Sequence, residues 1–208
     1  MAILNHQSKS VRFLCERDEK LAKVIDAVGS LQYTTERDPF VFLIDTVIGQ
    51  MLSNRVAAVL SKRFWALSDG TIEGTAKLTA DQIRGIGVSN AKVKTILAVI
   101  NEFVRNPSFP DILYSMTDEE VENRLTQIPG IGPWSAKMFL IFVLDRQNIL
   151  PFEDGAFIQA FEAVYGIKEK SRNKKLVRAA CKIWDPYASV AARYLYRYLD
   201  MGLVARNK

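Results

Sequence analysis

The sequence predicts an all-α protein made of two packed helical lobes. Apolar residues recur at helical spacing along most of the chain, and no segment shows the alternation of a half-buried strand. Hydrophobic residues make up 49% and charged residues 25% of the 208 residues, which is typical of a globular protein. No low-complexity linker interrupts the chain, and this favours a single compact domain.

The first helices have recognisable ends in the sequence. Gly29 stops a first helix, because glycine readily adopts the left-handed backbone at which helices end. Asp38 and Pro39 predict the start of a long apolar helix, with the aspartate as its N-cap and the proline in its first turn. This helix is predicted to break at Gly49-Gln50, and a new helix to begin at about Arg55.

Two capping boxes mark later helix starts. Thr79 precedes Gln82, and Thr117 precedes Glu120, at the spacing in which side chains and backbone N–H groups bond reciprocally. Between them, residues 90–106 carry the apolar stripe of an amphipathic helix.

The C-terminal half is also helical. The segment "PWSAKMFLIFVLD", which begins at Pro133, is almost entirely apolar and predicts a buried central helix. Further helices are predicted at about 154–165, 172–183 and 187–202.

One pattern occurs twice. The segments "IRGIGVSNAK" (83–92) and "IPGIGPWSAK" (128–137) share Ile-x-Gly-Ile-Gly-x-x-x-Ala-Lys, and each lies between a short capped helix and a longer one. Both are therefore predicted to be helix–hairpin–helix units.

The second hairpin has the features of a phosphate site built from main chain. Gly130 and Gly132 have no Cβ to cover their N–H groups, and the helix starting at Pro133 presents its positive dipole end. Such a site grips DNA backbone without reading sequence, and Ser135 adds a hydroxyl. Three carbonyls of this turn are expected to converge on a monovalent cation: Thr126, Ile128 and Ile131. The alternative is a tight helix–helix turn with no ligand.

A carboxylate follows this hairpin. In "ILPFEDGAF", Asp154 precedes a glycine at a helix start, where an N-cap aspartate is the common explanation; the equivalent position after the first hairpin is Phe109. The glycine hairpin, the buried helix and "LPFEDGAF" together resemble the helix–hairpin–helix (HhH-GPD) DNA glycosylases. Within that superfamily they are most similar to the alkylbase branch, 3-methyladenine DNA glycosylase II.

Further segments share this resemblance, which covers residues 38–200. They are "DPFVFLIDTVIGQMLSNRVA", "GIGVSNAKVKTILAVI" and "WDPYASVAARYLYRYL". It implies one glycosylase domain over 1–208, with a cleft active site between a lobe of about 38–110 and one of about 111–208. The sequence departs from the branch in two respects. The residues before Pro39 leave no room for the N-terminal β-rich lobe, and Glu153 precedes the aspartate in place of a small residue.

The resemblance implies hydrolysis of an N-glycosidic bond after base flipping, with Asp154 as the catalytic carboxylate. Glu153 is the competing carboxylate. Bifunctional members of the superfamily carry a lysine nucleophile at the position of Trp134, and tryptophan cannot form a Schiff base. We therefore predict a monofunctional enzyme that leaves an abasic site, with Lys137 as the one nearby amine.

The same resemblance places a base pocket and a wedge. Trp134, Met138 and Tyr196 are expected to line the pocket, although Tyr196 also fits an ordinary amphipathic face. Met51 is the candidate for the apolar wedge that fills the space of a flipped base, with Leu52 as the alternative. We expect three further contacts with DNA: Gln50 with the orphaned base, Arg55 with a phosphate, and the basic residues around Lys170–Lys175 with the backbone.

Composition limits the cofactors and the compartment. Two cysteines and one histidine leave neither a structural zinc site nor a cysteine-held iron–sulfur cluster, so no catalytic cofactor is expected beside the structural Na⁺ or K⁺ of the hairpin. The net charge of +5 favours a polyanionic partner, here double-stranded DNA with damaged bases. No signal peptide or membrane span is evident, which predicts a location in the cytoplasm, in association with the nucleoid through DNA. We also expect the protein to be a monomer.

Other interpretations remain open at this point. A related glycosylase would remove deaminated, oxidised or mismatched bases, and the pocket residues would decide this. A non-catalytic DNA-binding module would keep the hairpin without turnover, and a plain helical interaction protein would use the glycines only as turns.

Overall fold

The computed structural model describes residues 1–35, 37–166 and 174–203, and within these ranges it has thirteen helices and one two-stranded sheet. The elements are β1 (Ala2–Leu4), α1 (Lys9–Arg17), α2 (Glu19–Val28), β2 (Leu31–Tyr33), α3 (Pro39–Gly49), α4 (Asn54–Trp65), α5 (Ile72–Thr75), α6 (Ala80–Gly85), α7 (Asn90–Arg105), α8 (Phe109–Ser115), α9 (Asp118–Thr126), α10 (Pro133–Phe142), α11 (Gly155–Tyr165), α12 (Lys174–Ala180) and α13 (Ala188–Asp200). A 3₁₀ turn, Cys181–Trp184, follows α12. The predicted helical fold is confirmed.

Local chemistry fixes most helix ends where the sequence predicts them. Gly29 ends α2 with a φ of 69°, and the Asp38 side chain accepts a hydrogen bond from the N–H of Val41 at the start of α3. The capping boxes that begin with Thr79 and Thr117 both form in full. The N-terminal ends depend on side chain–backbone bonds between residues a few positions apart, so they can be predicted from the sequence.

Several short elements were not predicted. β1 and β2 pair antiparallel, with Ala2 opposite Tyr33, and three-residue strands are too short to show alternation. The N-terminal helical region is broken at Asp18, which ends α1 and caps α2. The short helices α5 and α8 were also missed. Of the helix predicted at 172–183, the part before residue 174 lies outside the described residues.

The chain divides into two compact units, Arg37–Leu144 and Met1–Glu36 with Asp145–Lys208. In this division the hairpin helices α9 and α10 belong with α3–α8, whereas the lobes expected from the sequence span about 38–110 and 111–208. The physical reason is direct packing: Gly130 of the hairpin lies against Thr95 of α7, and Phe139 of α10 meets Phe42 of α3 with ring centroids 6.1 Å apart.

The unit Arg37–Leu144 is organised around α3, α7 and α10. Phe40 of α3 and Phe103 of α7 pack with ring centroids 5.1 Å apart. Helix α10 buries most of its length, as its apolar sequence predicts. Asp45 joins α3 to α4 by accepting hydrogen bonds from the Ser61 hydroxyl and from the Trp65 indole N–H.

The other unit packs α2, α11 and α13 around aromatic side chains. Its buried core includes Phe157, Phe161 and Trp184. Asp18 lies inside this unit with 6% exposure. Its carboxylate accepts hydrogen bonds from the Leu21 N–H at 3.0 Å, the Tyr165 hydroxyl at 2.5 Å and the Trp184 indole at 2.7 Å.

A second polar cluster of this unit lies where the chain re-enters it. Asp145 has a φ of 50°, and its carboxylate accepts hydrogen bonds from Arg193 at 3.0 Å and from the Tyr33 hydroxyl at 3.3 Å. The Arg193 guanidinium also lies 3.9 Å from the centroid of the Tyr33 ring. Arg193 is buried, so this pairing stabilises a charge that would otherwise be costly.

Within the described ranges, no helix has the length and hydrophobicity to cross a bilayer.

We predict that Asp18→Ala lowers the free energy of unfolding by about 3 kcal/mol, because it removes a helix cap and leaves the Trp184 indole and the Tyr165 hydroxyl without this acceptor. Chemical denaturation measures this change. Asp26→Ala on the exposed side of α2 is the matched control and should change stability by less than about 0.5 kcal/mol. Equal effects of the two substitutions would contradict the role assigned to Asp18.

Candidate functional site

The second hairpin forms as the sequence predicts. Helix α9 ends at Thr126, α10 begins at Pro133, and Gly132 is the N-cap residue of α10. The N–H of Ile131 donates to the carbonyl of Ile128 at 3.0 Å and closes the turn. The chain therefore reverses tightly and leaves the start of α10 at the hairpin.

Glycine is present at the two hairpin positions for different physical reasons. Gly130 has a φ of 88°, and a Cβ there would overlap the Thr95 hydroxyl and lie 2.9 Å from the Thr95 Cβ. Glycine at this position is thus required by the fold itself. Gly132 has a φ of −104°, and a Cβ on it would meet no protein atom within 4 Å. The space beside Gly132 is open to an approaching ligand.

Ser135 lies inside the hairpin. It is 1% exposed, and its hydroxyl accepts a hydrogen bond from the Gln50 Nε2 at 3.2 Å. The same Gln50 nitrogen lies 3.4 Å from the Gly130 carbonyl oxygen, to which it donates. Sequence reasoning gave Ser135 a phosphate contact and Gln50 a base contact. In the structure the two side chains bond each other and tie the loop after α3 to the hairpin.

Met51 and Leu52 form the tip of a tight turn. The Leu52 N–H donates to the Gly49 carbonyl at 3.0 Å, and Gln50 has φ −48° and ψ 127°. Met51 has a φ of 58°, so it occupies the position of a type II turn that normally requires glycine. Met51 is 100% exposed and Leu52 is 38% exposed. The predicted wedge residue is thus held in a strained backbone conformation with its apolar side chain in solvent.

Lys92 of α7 holds this turn. Its ammonium donates to the Ile48 carbonyl at 2.7 Å and to the Gln50 carbonyl at 2.8 Å. Burial lowers the pKa of Lys92, and the two carbonyls at the C-terminal end of α3 stabilise its charge.

Helix α10 carries the other residues predicted near the hairpin. Trp134 and Met138 are four residues apart and share one face of the helix; Trp134 is half-buried and Met138 is 6% exposed. Lys137, the residue directly before Met138, is also half-buried. The thioether of Met138 therefore contributes to the interior of its unit.

Asp154 and Tyr196 lie together in the other unit. Asp154 is the N-cap of α11, where its Oδ1 accepts a hydrogen bond from the Phe157 N–H at 2.8 Å. Burial and the negative charge of Asp154 raise the pKa of the Tyr196 hydroxyl well above its ordinary value. Tyr196 is therefore a neutral phenol near a carboxylate, and its ring packs edge-on against Phe157.

The remaining predicted residues are placed as follows. Glu153 is half-buried next to Asp154, and Arg55 is exposed at the start of α4. Of the basic residues Lys170–Lys175, positions 170–173 lie outside the described residues, as do the side chains of 174 and 175. No group of three or more His, Cys, Asp or Glu side chains with metal-binding geometry occurs in the described part of the chain.

Sequence reasoning missed two residues of α7, Lys92 and Thr95. The repeated pattern contained a signal for the first, since Lys92 is its final residue in the first copy and Lys137 in the second. No sequence signal marks Thr95, because its role depends on its contact with Gly130 of the second hairpin.

Comparison with known proteins shows several relatives of similar length. DNA-3-methyladenine glycosylase 1 of Schizosaccharomyces pombe is 26% identical, over 94% of this chain and 89% of that protein. The DNA-3-methyladenine glycosylase of Saccharomyces cerevisiae is 28% identical, over 99% of this chain and 85% of that protein.

Solved structures have the same fold. The crystal structure of DNA-3-methyladenine glycosidase from Bacillus halodurans superposes with a TM-score of 0.82 at 27% identity, covering 98% of this chain and 94% of that one. The fold is also that of the Schizosaccharomyces pombe 3-methyladenine DNA glycosylase in complex with abasic DNA, with a TM-score of 0.84 at 24% identity, 93% coverage of this chain and 97% of that one.

A family model supplies the assignment. Residues 44–186, more than half of the chain, match the model described as HhH-GPD superfamily base excision DNA repair protein. The chain therefore belongs to the HhH-GPD superfamily of base excision DNA repair proteins.

Proposed function

We propose that this protein is a monofunctional DNA glycosylase that hydrolyses the N-glycosidic bond of alkylated purines such as 3-methyladenine in duplex DNA and leaves an abasic site. The observation that carries the proposal is Asp154, an N-cap carboxylate beside the neutral hydroxyl of Tyr196. The similarity to proteins named DNA-3-methyladenine glycosylases supports the substrate class.

Asp154 is the catalytic carboxylate of this proposal. As the bond to the base breaks, positive charge develops on the deoxyribose, and a fixed carboxylate stabilises such an oxocarbenium-like transition state. The Phe157 N–H donates to Asp154 and fixes its orientation before substrate arrives, and the Tyr196 hydroxyl is close enough for the charge of Asp154 to raise its pKa. Tyr196 thus acts on the carboxylate as well as offering an aromatic surface to the base.

Trp134 and Met138 form the part of the base pocket that belongs to α10. An N-alkylated purine is cationic, and its attraction to an aromatic face is worth about 1–2 kcal/mol when desolvated. Such a base is already a good leaving group, so an enzyme that selects the cationic base needs no strong general acid to protonate it. The tryptophan also takes the place of a Schiff-base lysine, and base release without strand cleavage follows.

The hairpin and the turn after α3 bind the duplex. The open space beside Gly132 lets a phosphate reach the N–H groups at the start of α10. The carbonyls of Thr126, Ile128 and Ile131 are the hard oxygen donors that a structural Na⁺ or K⁺ prefers, and they belong to one turn. Met51, fully exposed, is the wedge that fills the space left by the flipped base.

We predict that Asp154→Asn lowers the single-turnover rate of methyladenine release at least about 100-fold, because the amide keeps the helix cap and loses the negative charge. The assay uses methylated duplex DNA and quantifies released bases. Glu153→Gln is the matched control and should retain the wild-type rate within about threefold, since adjacent residues at a helix start point in different directions.

The same assay separates the alternatives. Strand breaks should appear only after hot alkali, and breaks without alkali would instead implicate Lys137 as a lyase amine. Duplex binding without release of methylpurines would contradict the proposed substrate. Uracil, hypoxanthine and 8-oxoguanine duplexes would then distinguish another base specificity from a non-catalytic binding module.

Tyr196→Phe tests the partner of the carboxylate. We expect a rate about tenfold lower with unchanged affinity for an abasic duplex, because the ring remains and the polar hydroxyl near the carboxylate is lost. Since its raised pKa keeps the hydroxyl protonated, wild type and variant should show the same shape of rate profile from roughly pH 6 to 9. A change of affinity at constant rate would place Tyr196 in binding only.

The two hairpin glycines provide a paired test of DNA contact. Gly132→Ala should cost at most about 1 kcal/mol of stability, yet weaken binding of undamaged duplex about tenfold, since its methyl group enters the open space. Gly130→Ala should lose about 3 kcal/mol or more, because of its positive φ and the overlap with Thr95. Undiminished DNA binding by Gly132→Ala would mean that the hairpin is a turn without a ligand.

A further inference from the structure

The Met51 turn requires a restraint. A residue with a Cβ at a φ of 58° is less stable than glycine there, and full exposure of the side chain gives no packing in return. The hydrogen bond of the turn, from the Leu52 N–H to the Gly49 carbonyl at 3.0 Å, lies beside the exposed residues Met51 and Leu52. An isolated turn of this kind would populate several conformations.

Lys92 supplies that restraint from a different helix. Its ammonium bonds two carbonyls, of Ile48 at 2.7 Å and of Gln50 at 2.8 Å, on either side of Gly49. One carbonyl belongs to the last turn of α3 and the other to the residue directly before Met51. A lysine placed in this way fixes the direction in which the chain leaves α3, and with it the direction of Met51.

The same part of α7 contacts the hairpin. Thr95, about one helical turn from Lys92, lies against Gly130, and the Gln50 side chain bonds the Gly130 carbonyl and the Ser135 hydroxyl. The Met51 turn and the hairpin are therefore attached to one rigid helix and to each other. All these residues belong to the unit Arg37–Leu144.

We propose that Lys92 is a positioning residue that holds the Met51 turn in register with the phosphate-binding hairpin, so that backbone binding and insertion of the wedge occur as one event. This inference rests on the proposed role of Met51 as the wedge. Burial of the ammonium is unfavourable in itself, and a glycine at position 51 would make the restraint unnecessary. A function that requires the exposed Met51 side chain explains why a buried ammonium and a non-glycine residue occur together at this turn.

The test compares Lys92→Met with Lys94→Met. Both remove one positive charge from α7, but Lys94 is exposed. In a duplex with 2-aminopurine beside an abasic analogue, Lys92→Met should lower the flipping signal and the single-turnover release of methyladenine about tenfold, as expected for the loss of charge-assisted hydrogen bonds. Affinity for undamaged duplex should match that of Lys94→Met, since a merely electrostatic role would affect both variants alike.

Two further variants make the outcome decisive. Met51→Ala should reduce the flipping signal as Lys92→Met does, and the double variant should lose no more than either single one, because both act on the same wedge. Hydrogen exchange at the Leu52 amide should accelerate in Lys92→Met and not in Lys94→Met. Lys92→Arg, which keeps the charge and a donor, should restore part of the signal and serves if Lys92→Met fails to fold.

Several results would overturn the proposal. They are wild-type flipping in Lys92→Met, equal losses in Lys92→Met and Lys94→Met, and additive losses in the double variant. If Met51→Ala gave the wild-type flipping signal, Met51 would not be the wedge, and the proposed role of Lys92 would fail as well. The proposed hydrolysis would still stand in that case, because it is measured independently with Asp154→Asn.

Discussion

The close approach of Gly130 to Thr95 is the constraint on which the hairpin unit depends. No residue with a Cβ fits there, because the added atom would overlap the Thr95 hydroxyl and the backbone already has a φ of 88°. With glycine, the hairpin rests directly on α7, and the start of α10 is fixed relative to that helix. The Gln50 side chain, which bonds Gly130 and Ser135, then joins the end of α3 to the same assembly. Three helices that are distant in sequence thus present one rigid surface.

Unfavourable features of this unit are concentrated at that surface. Met51 has a positive φ and a fully exposed apolar side chain, and Lys92 has an ammonium that burial disfavours in its charged form. Elsewhere the unit follows ordinary rules, with capped helices and an apolar interior. Strain that persists where the surroundings enforce it is typical of functional sites, and here Lys92 is the enforcing group.

In the other unit, one carboxylate serves both structure and chemistry. Asp154 begins α11 through its bond to the Phe157 N–H, and the charge of the same carboxylate raises the pKa of the Tyr196 hydroxyl. The helix start therefore orients the group that the proposed mechanism requires, without additional machinery. Asp18 is a contrasting case in this unit, because its carboxylate also caps a helix but its other partners are the buried Trp184 indole and the partly buried Tyr165 hydroxyl.

The amino-acid sequence alone predicts the helical fold, the helix ends at Asp38, Thr79 and Thr117, and the hairpin, because these depend on periodicity and on bonds between near neighbours. It also indicated Asp154 as an N-cap. Tertiary packing instead sets the burial of Ser135, the grouping of the hairpin with the residues from Arg37 onward, and the contacts of Lys92 and Thr95. Each of these joins segments far apart in the chain, and a single sequence carries no record of which distant residues meet when the helices pack.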